Sequence, residues 1–177
     1  MPMRPPASHV RLLYCRLDAF SAPSARETER TASLGLAREL AGPDAQIEHF
    51  ADGAPYIAGF DGCISISHGA GYCVIVASQS GTVGVDVERW REQLKRVACK
   101  FLSDDEIAVW GSDDLVLLRA WTIKEAVYKA ARTPGLALKE ICLPPCADGD
   151  EAQARGVVYR LHTQSVGEAM VTTAWVV

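Results

Sequence analysis

The chain has 177 residues, 49% of them hydrophobic and 23% charged, with a formal net charge of −4. Such a length accommodates one domain or two small halves packed together, and the composition is that of a globular protein with a sizeable core. The acidic balance does not indicate bulk electrostatic binding to nucleic acid, leaving room for a local basic patch, and no apolar run is long enough to span a bilayer.

Residues 1–8 read as a frayed leader without the apolar core of a signal peptide, so cytoplasm is the expected compartment. Val10–Leu17 is apolar and β-prone, a predicted strand. Ser24 followed by Glu27 has capping-box spacing, and the helix it opens is predicted to reach Ala41 with Leu36, Ala37, Leu40 and Ala41 inward, before Gly42-Pro43 stops it. Short strands are expected at Ile47–Phe50 and Pro55–Ile57. Gly62–His68 alternates apolar and polar residues, as a half-buried strand does, and ends on a histidine before the turn Gly69-Ala70-Gly71. Tyr72–Ala77 is a continuous apolar run suited to a buried strand, and Thr82–Glu88 is the next strand.

From Trp90 to Phe101 the apolar residues Trp90, Leu94, Val97 and Phe101 recur at helical spacing. Ser103 and Glu106 form a second capping box for a short helix to Trp110, and a longer helix is expected from Asp113 to Ala131. Leu138–Leu143, Val157–Thr163 and Met170–Val177 read as strands, with a polar loop over 144–156. This order implies an α+β fold with largely antiparallel sheet. Each half carries a helix followed by strands, which admits two similar α/β halves, 1–83 and 84–177, packed as a pseudo-two-fold pair. The six cysteines form no Cys-x-x-Cys pair and read as reduced, small hydrophobes.

Chemistry concentrates in two segments. In Gly84-Val85-Asp86-Val87-Glu88 the carboxylates share one face of a strand while the valines occupy the other, and Gly84 leaves room for a close ligand or backbone. In Trp121-Thr122-Ile123-Lys124-Glu125-Ala126-Val127-Tyr128-Lys129, Glu125 and Lys129 share a helix face. Should the strand tip meet that face, three acidic groups converge beside one cation, which suits a hard divalent metal and a diphosphate ester. The plainer readings are a solvated acidic strand face and an ordinary helix salt bridge. Lys124 projects away from Glu125 toward a different contact. His68, at a glycine-flanked strand end, is placed for an anion, although a lone histidine is more often structural. Ser67 and His68 point to opposite faces, so a serine-hydrolase triad is poorly supported. Arg89, Arg91, Lys95, Arg96 and Lys100 cluster around Glu92, either as a solvated helix face or as a dock for an acidic partner.

Taken together, Ser65-Ile66-Ser67-His68, the Gly84–Glu88 strand and the Trp121–Lys129 helix resemble the 4′-phosphopantetheinyl transferase superfamily. Phe101-Leu102-Ser103 with Glu106 and Gly135-Leu136-Ala137-Leu138 add to the likeness. The residues that precede Gly84 make the chain similar to the surfactin-synthetase-activating type, in which one chain folds as two halves and a monomer suffices. The resemblance implies transfer of the phosphopantetheine arm of coenzyme A to a serine of an apo acyl or peptidyl carrier protein, with release of 3′,5′-ADP. It implies Mg²⁺ held by Asp86, Glu88 and Glu125, with Glu125 placed to take the serine proton. Lys129 would offset charge on the leaving phosphate, and His68 and Ser67 would lie at the coenzyme phosphates. Arg26 and Arg30 are the candidates for gripping the 3′-phosphate. Gly53-Ala54-Pro55 departs from the Gly-Lys-Pro often found in the family, so one cation is missing there. The alternative is a degenerate relative that binds a carrier protein or coenzyme A without turnover.

Overall fold

The computed structural model describes residues 7–176; most of the expected leader therefore lies outside the described residues, as does Val177. Strands β1 (Val10–Arg16), β4 (Cys63–Gly69) and β5 (Tyr72–Ser78) form a sheet in the order β1-β5-β4. A second sheet has the order β6-β10-β9-β8-β7, from β6 (Val83–Arg89), β7 (Ile141–Cys142), β8 (Glu151–Ala154), β9 (Val157–Val166) and β10 (Ala169–Val176). A small hairpin pairs β2 (Ile47–His49) with β3 (Pro55–Ile57). All these pairings are antiparallel. The fold is thus α+β, and the two larger sheets differ in strand number.

Helix α1 (Ala25–Ala41) starts at Ser24, whose hydroxyl accepts from Glu27 N–H, and packs Ala32, Leu36, Ala37 and Leu40 onto β5. Ala41 is exposed, contrary to expectation. The inward stripe runs through Ala32 and Ser33 instead, one turn earlier. Helix α2 (Gln93–Phe101) begins after Trp90, and α3 (Asp104–Trp110) opens on the full Ser103–Glu106 capping box. Helix α4 (Asp114–Ala131) is capped by Asp113, which accepts from Leu115 and Val116 N–H.

Two expectations fail at the C-terminal end. Leu138–Glu140 is a 3₁₀ turn, leaving only Ile141–Cys142 as strand, and the expected loop contains β8. Glu-Ala-Gln-Ala has weak strand propensity, but its alternating alanines, each 3% exposed, fit under α4 beside β9. All six cysteines are free. Cys73 is buried and its thiol is pushed up to about 12 by that burial, whereas Cys99, Cys142 and Cys146 are exposed rather than core.

The valines of β6 and its acidic residues part company as the alternation required. Val83, Val85 and Val87 join Val10, Val74, Val76 and Val171 in an apolar layer between the sheets. Gly84 faces α4 so closely that an added Cβ would lie 2.0 Å from the Ala126 carbonyl oxygen. Glycine at this one position lets the helix rest on strand backbone, and the small Ala126 and Ala130 permit the same approach from the helix side.

Candidate active site

That close seat of α4 on β6 brings Lys129 to Asp86. The ammonium donates to Asp86 Oδ1 at 2.9 Å, to the Val85 carbonyl at 2.9 Å and to Ser67 Oγ at 3.2 Å. An ammonium has three donors, so all are committed to the strand tip. Asp86 is 8% exposed, and a second donor, the Ser67 hydroxyl, reaches its Oδ1 at 3.0 Å.

Ser67 belongs to β4, which runs beside the outer edge of β6. Its Oγ also accepts from Val87 N–H at 3.3 Å, and Ser65 Oγ accepts from Val85 N–H at 3.2 Å. The serines therefore satisfy edge amides that have no ladder partner on that side, replacing a strand with two hydroxyls. Ser67, one of the residues expected at the phosphates, is buried and hydrogen-bonded to Asp86, Lys129 and β6.

Glu125 lies one turn before Lys129 on α4. Burial pushes its carboxyl above the ordinary glutamate range, the negative charges of Asp86 and Glu88 add to the rise, and Lys129 opposes it. Asp86 and Glu88 thus act on Glu125 through their charge. Glu88 is turned partly aside: Oε2 pairs with Arg91 at 2.6 Å, and Oε1 accepts from Arg89 N–H at 3.1 Å. Among the described residues, no group of three or more His, Cys, Asp or Glu side chains is gathered as a metal centre. The hard oxygen donors and their mutual repulsion match what a divalent cation relieves, so the donor chemistry fits such an ion.

Beyond this cluster, α1, the β2–β3 hairpin, β4 and α4 enclose two adjoining hollows of about 520 and 610 Å³ that share Gly53, Pro55 and Ile66. Lys129, Tyr128 and Arg132 line the first; Arg26, Arg30, His49 and His68 line the second. His68 is exposed at the strand end, and partial desolvation lowers its titration, with Lys129 acting in the same direction and Glu29 against it. Its Nε2 lies 2.7 Å from Ser33 Oγ, which also reaches the Glu29 carbonyl at 2.8 Å. Ser33 Oγ also lies 3.6 Å from Cys73 Sγ, so this one hydroxyl ties the His68 ring to α1 and to β5.

Lys124 serves a separate purpose. It is fully buried and donates to Glu106 at 2.7 Å, Leu138 O at 3.1 Å and Ile141 O at 2.9 Å. Burial lowers its titration while Glu106 opposes that shift. Glu106 in turn accepts from Ser103 and Leu143 N–H, so one ion pair ties α3, α4 and β7 together. On the outer side, Arg91 and Lys100 rim a hollow of about 320 Å³ floored by Leu94, Val97, Phe101 and Trp121. Lys95 is paired with Asp114 at 2.8 Å.

Sequence reasoning missed Ser33, Asp52 and Arg132. A serine inside an apolar helix stripe was a weak signal for the first. The other two meet across 80 positions, which no local pattern reveals.

Residues 82–164 match the family model of the 4′-phosphopantetheinyl transferase superfamily. The matched stretch begins at β6 and contains Asp86, Glu88, Glu125 and Lys129; Arg30, Ser67 and His68 precede it. Comparison with curated proteins gives no match. No helix among the described residues is long and apolar enough to cross a membrane.

Proposed function

We propose that the protein is a phosphopantetheinyl transferase of the two-half, monomeric kind, acting on coenzyme A and an apo acyl or peptidyl carrier protein in the cytoplasm. The observation that carries this reading is the seating of Lys129 on Asp86, with Glu125 crowded beside them, inside the segment that matches the family. The halves 1–83 and 84–177 would meet at the cleft between α1 and α4.

In this reading the carrier serine oxygen attacks the pantetheine-bearing phosphorus of coenzyme A, the phosphoanhydride bond breaks, and 3′,5′-ADP leaves. Asp86, Glu88 and Glu125 would hold Mg²⁺, which supplies charge neutralisation at the diphosphate. Glu125, with its titration raised, is suited to accept the serine proton. Lys129 keeps a positive charge at the strand tip, where it offsets charge growing on the leaving phosphate. Ser67 braces Asp86 and Lys129. His68, Arg26 and Arg30 supply polar and cationic contacts to phosphate from the larger hollow. The hollow on α2, apolar in its floor and cationic at its rim, is the proposed dock for an acidic carrier helix.

The test is to incubate the protein with coenzyme A, Mg²⁺ and a panel of apo carriers, and to follow intact carrier mass. Gain of the arm, lost on Asp86→Ala or Glu125→Ala with the fold retained, supports the reading. Coenzyme binding without mass gain on any carrier would favour the non-catalytic relative.

A further inference from the structure

Arg132 closes α4 in a left-handed backbone conformation, with φ 48° and ψ 32°. Glycine is the usual occupant of such a position, because a Cβ is crowded there. Strain of this kind, kept on a cleft wall, points toward function. The side chain reaches across to the β2–β3 hairpin. Its Nε and a terminal nitrogen donate to Asp52 Oδ2 at 3.0 and 2.8 Å, and the guanidinium lies 4.4 Å from the Phe50 ring centroid. Asp52 is itself fixed by Ala54 N–H, which donates to its Oδ1 at 3.0 Å.

The hollow that Arg132 lines has Gly53-Ala54-Pro55 on its facing wall, a segment with no cation. Its other lining cation is Lys129, whose donors are all taken by Asp86, Val85 and Ser67. Arginine has five N–H donors, and Asp52 engages only part of that fork. Arg132 is therefore the lining cation with donors to spare.

We infer that Arg132 is a phosphate-binding residue of the donor cleft, aimed by Asp52 and Phe50. The inference rests on the reading of the chain as a coenzyme A-dependent transferase, and it assigns donor affinity to a residue of α4. A planar fork suits bidentate capture of phosphate, which an ammonium cannot reproduce. Asp52 then plays two opposed parts: it orients the guanidinium and it competes for it. A mere strap between hairpin and helix would behave otherwise, because loss of either partner would loosen the cleft alike.

The experiment measures coenzyme A binding by titration calorimetry on the full chain, with inorganic pyrophosphate titrated in parallel. Arg132→Gly should weaken coenzyme A by about tenfold or more, the usual scale for a lost charged hydrogen bond. Its melting temperature should be unchanged or higher, since glycine relaxes the left-handed backbone. Arg132→Lys should fall between it and the wild type. Asp52→Asn should bind coenzyme A as tightly as wild type or up to about threefold more tightly. Equal weakening by Arg132→Gly and Asp52→Asn, or wild-type affinity in Arg132→Gly, would overturn the assignment. Arg132-dependent binding of pyrophosphate without binding of coenzyme A would keep the cation site and sink the transferase reading.

Discussion

Glu125→Gln separates what the site does for chemistry from what it does to stability. The Glu125 carboxyl titrates above its ordinary range because burial and the neighbouring Asp86 and Glu88 charges disfavour its ionised form. The folded protein thus keeps a proton at pH values where the unfolded chain has lost it. Stability must fall as pH rises from the ordinary glutamate range through the raised folded value, and level off above it. For one proton the slope cannot exceed about 1.4 kcal/mol per pH unit. Glutamine preserves the shape and has no proton to lose, so that portion of the decline should vanish. A gain of about 1 kcal/mol at neutral pH is the usual scale for relieving a functional charge cluster, about 2–4 °C in melting temperature for a chain of this size. Transfer activity should be lost in the same variant. The assay is urea unfolding of both proteins from pH 4 to 8, with the m-value checked for constancy. A glutamine variant that is less stable at pH 7, or whose pH profile overlays the wild type, would refute the electrostatic account of this cluster.

The remaining expectations concern the elements that position the site. Lys124→Met should destabilise by about 3 kcal/mol, because it strands the Glu106 charge in a nearly closed site; a second change, Glu106→Leu, should recover part of that loss in denaturant titration. Gly84→Ala forces a Cβ to 2.0 Å from the Ala126 carbonyl, so α4 must lift from β6, and a loss of at least 1–3 kcal/mol with reduced transfer is expected. An active variant with wild-type stability would show that the close seat is dispensable. Ser33→Ala removes the hydroxyl paired with His68 Nε2. Its ¹⁵N imidazole shifts should report a changed tautomer balance, and KM for coenzyme A should rise about threefold to tenfold with little change in kcat; unaltered shifts would reduce Ser33 to helix packing.

How much of this was legible beforehand follows from the range of each interaction. The Ser103–Glu106 box, the opening of α1 at Ser24 and the split of β6 into apolar and acidic faces are set by neighbours a few positions apart, and all are realised. The strand β8 was hidden because alanine and glutamine carry almost no β signal; only packing against β9 and α4 makes those residues a strand. Ala41 was misplaced on α1 because the stripe's phase depends on where the sheet lies, which periodicity does not state.

The amino-acid order alone determined that carboxylates would alternate with valines on β6 and that Glu125 and Lys129 would stack on one side of α4, since backbone repeat distances leave no other choice. It did not determine partners. That Lys129 spends its protons on Asp86, Ser67 and a carbonyl, that Ser33 holds His68, and that Arg132 crosses to Asp52 depends on how the helices sit against the sheets. Those placements arise from tertiary contacts such as the bare backbone at Gly84, where the missing side chain sets the distance between strand and helix.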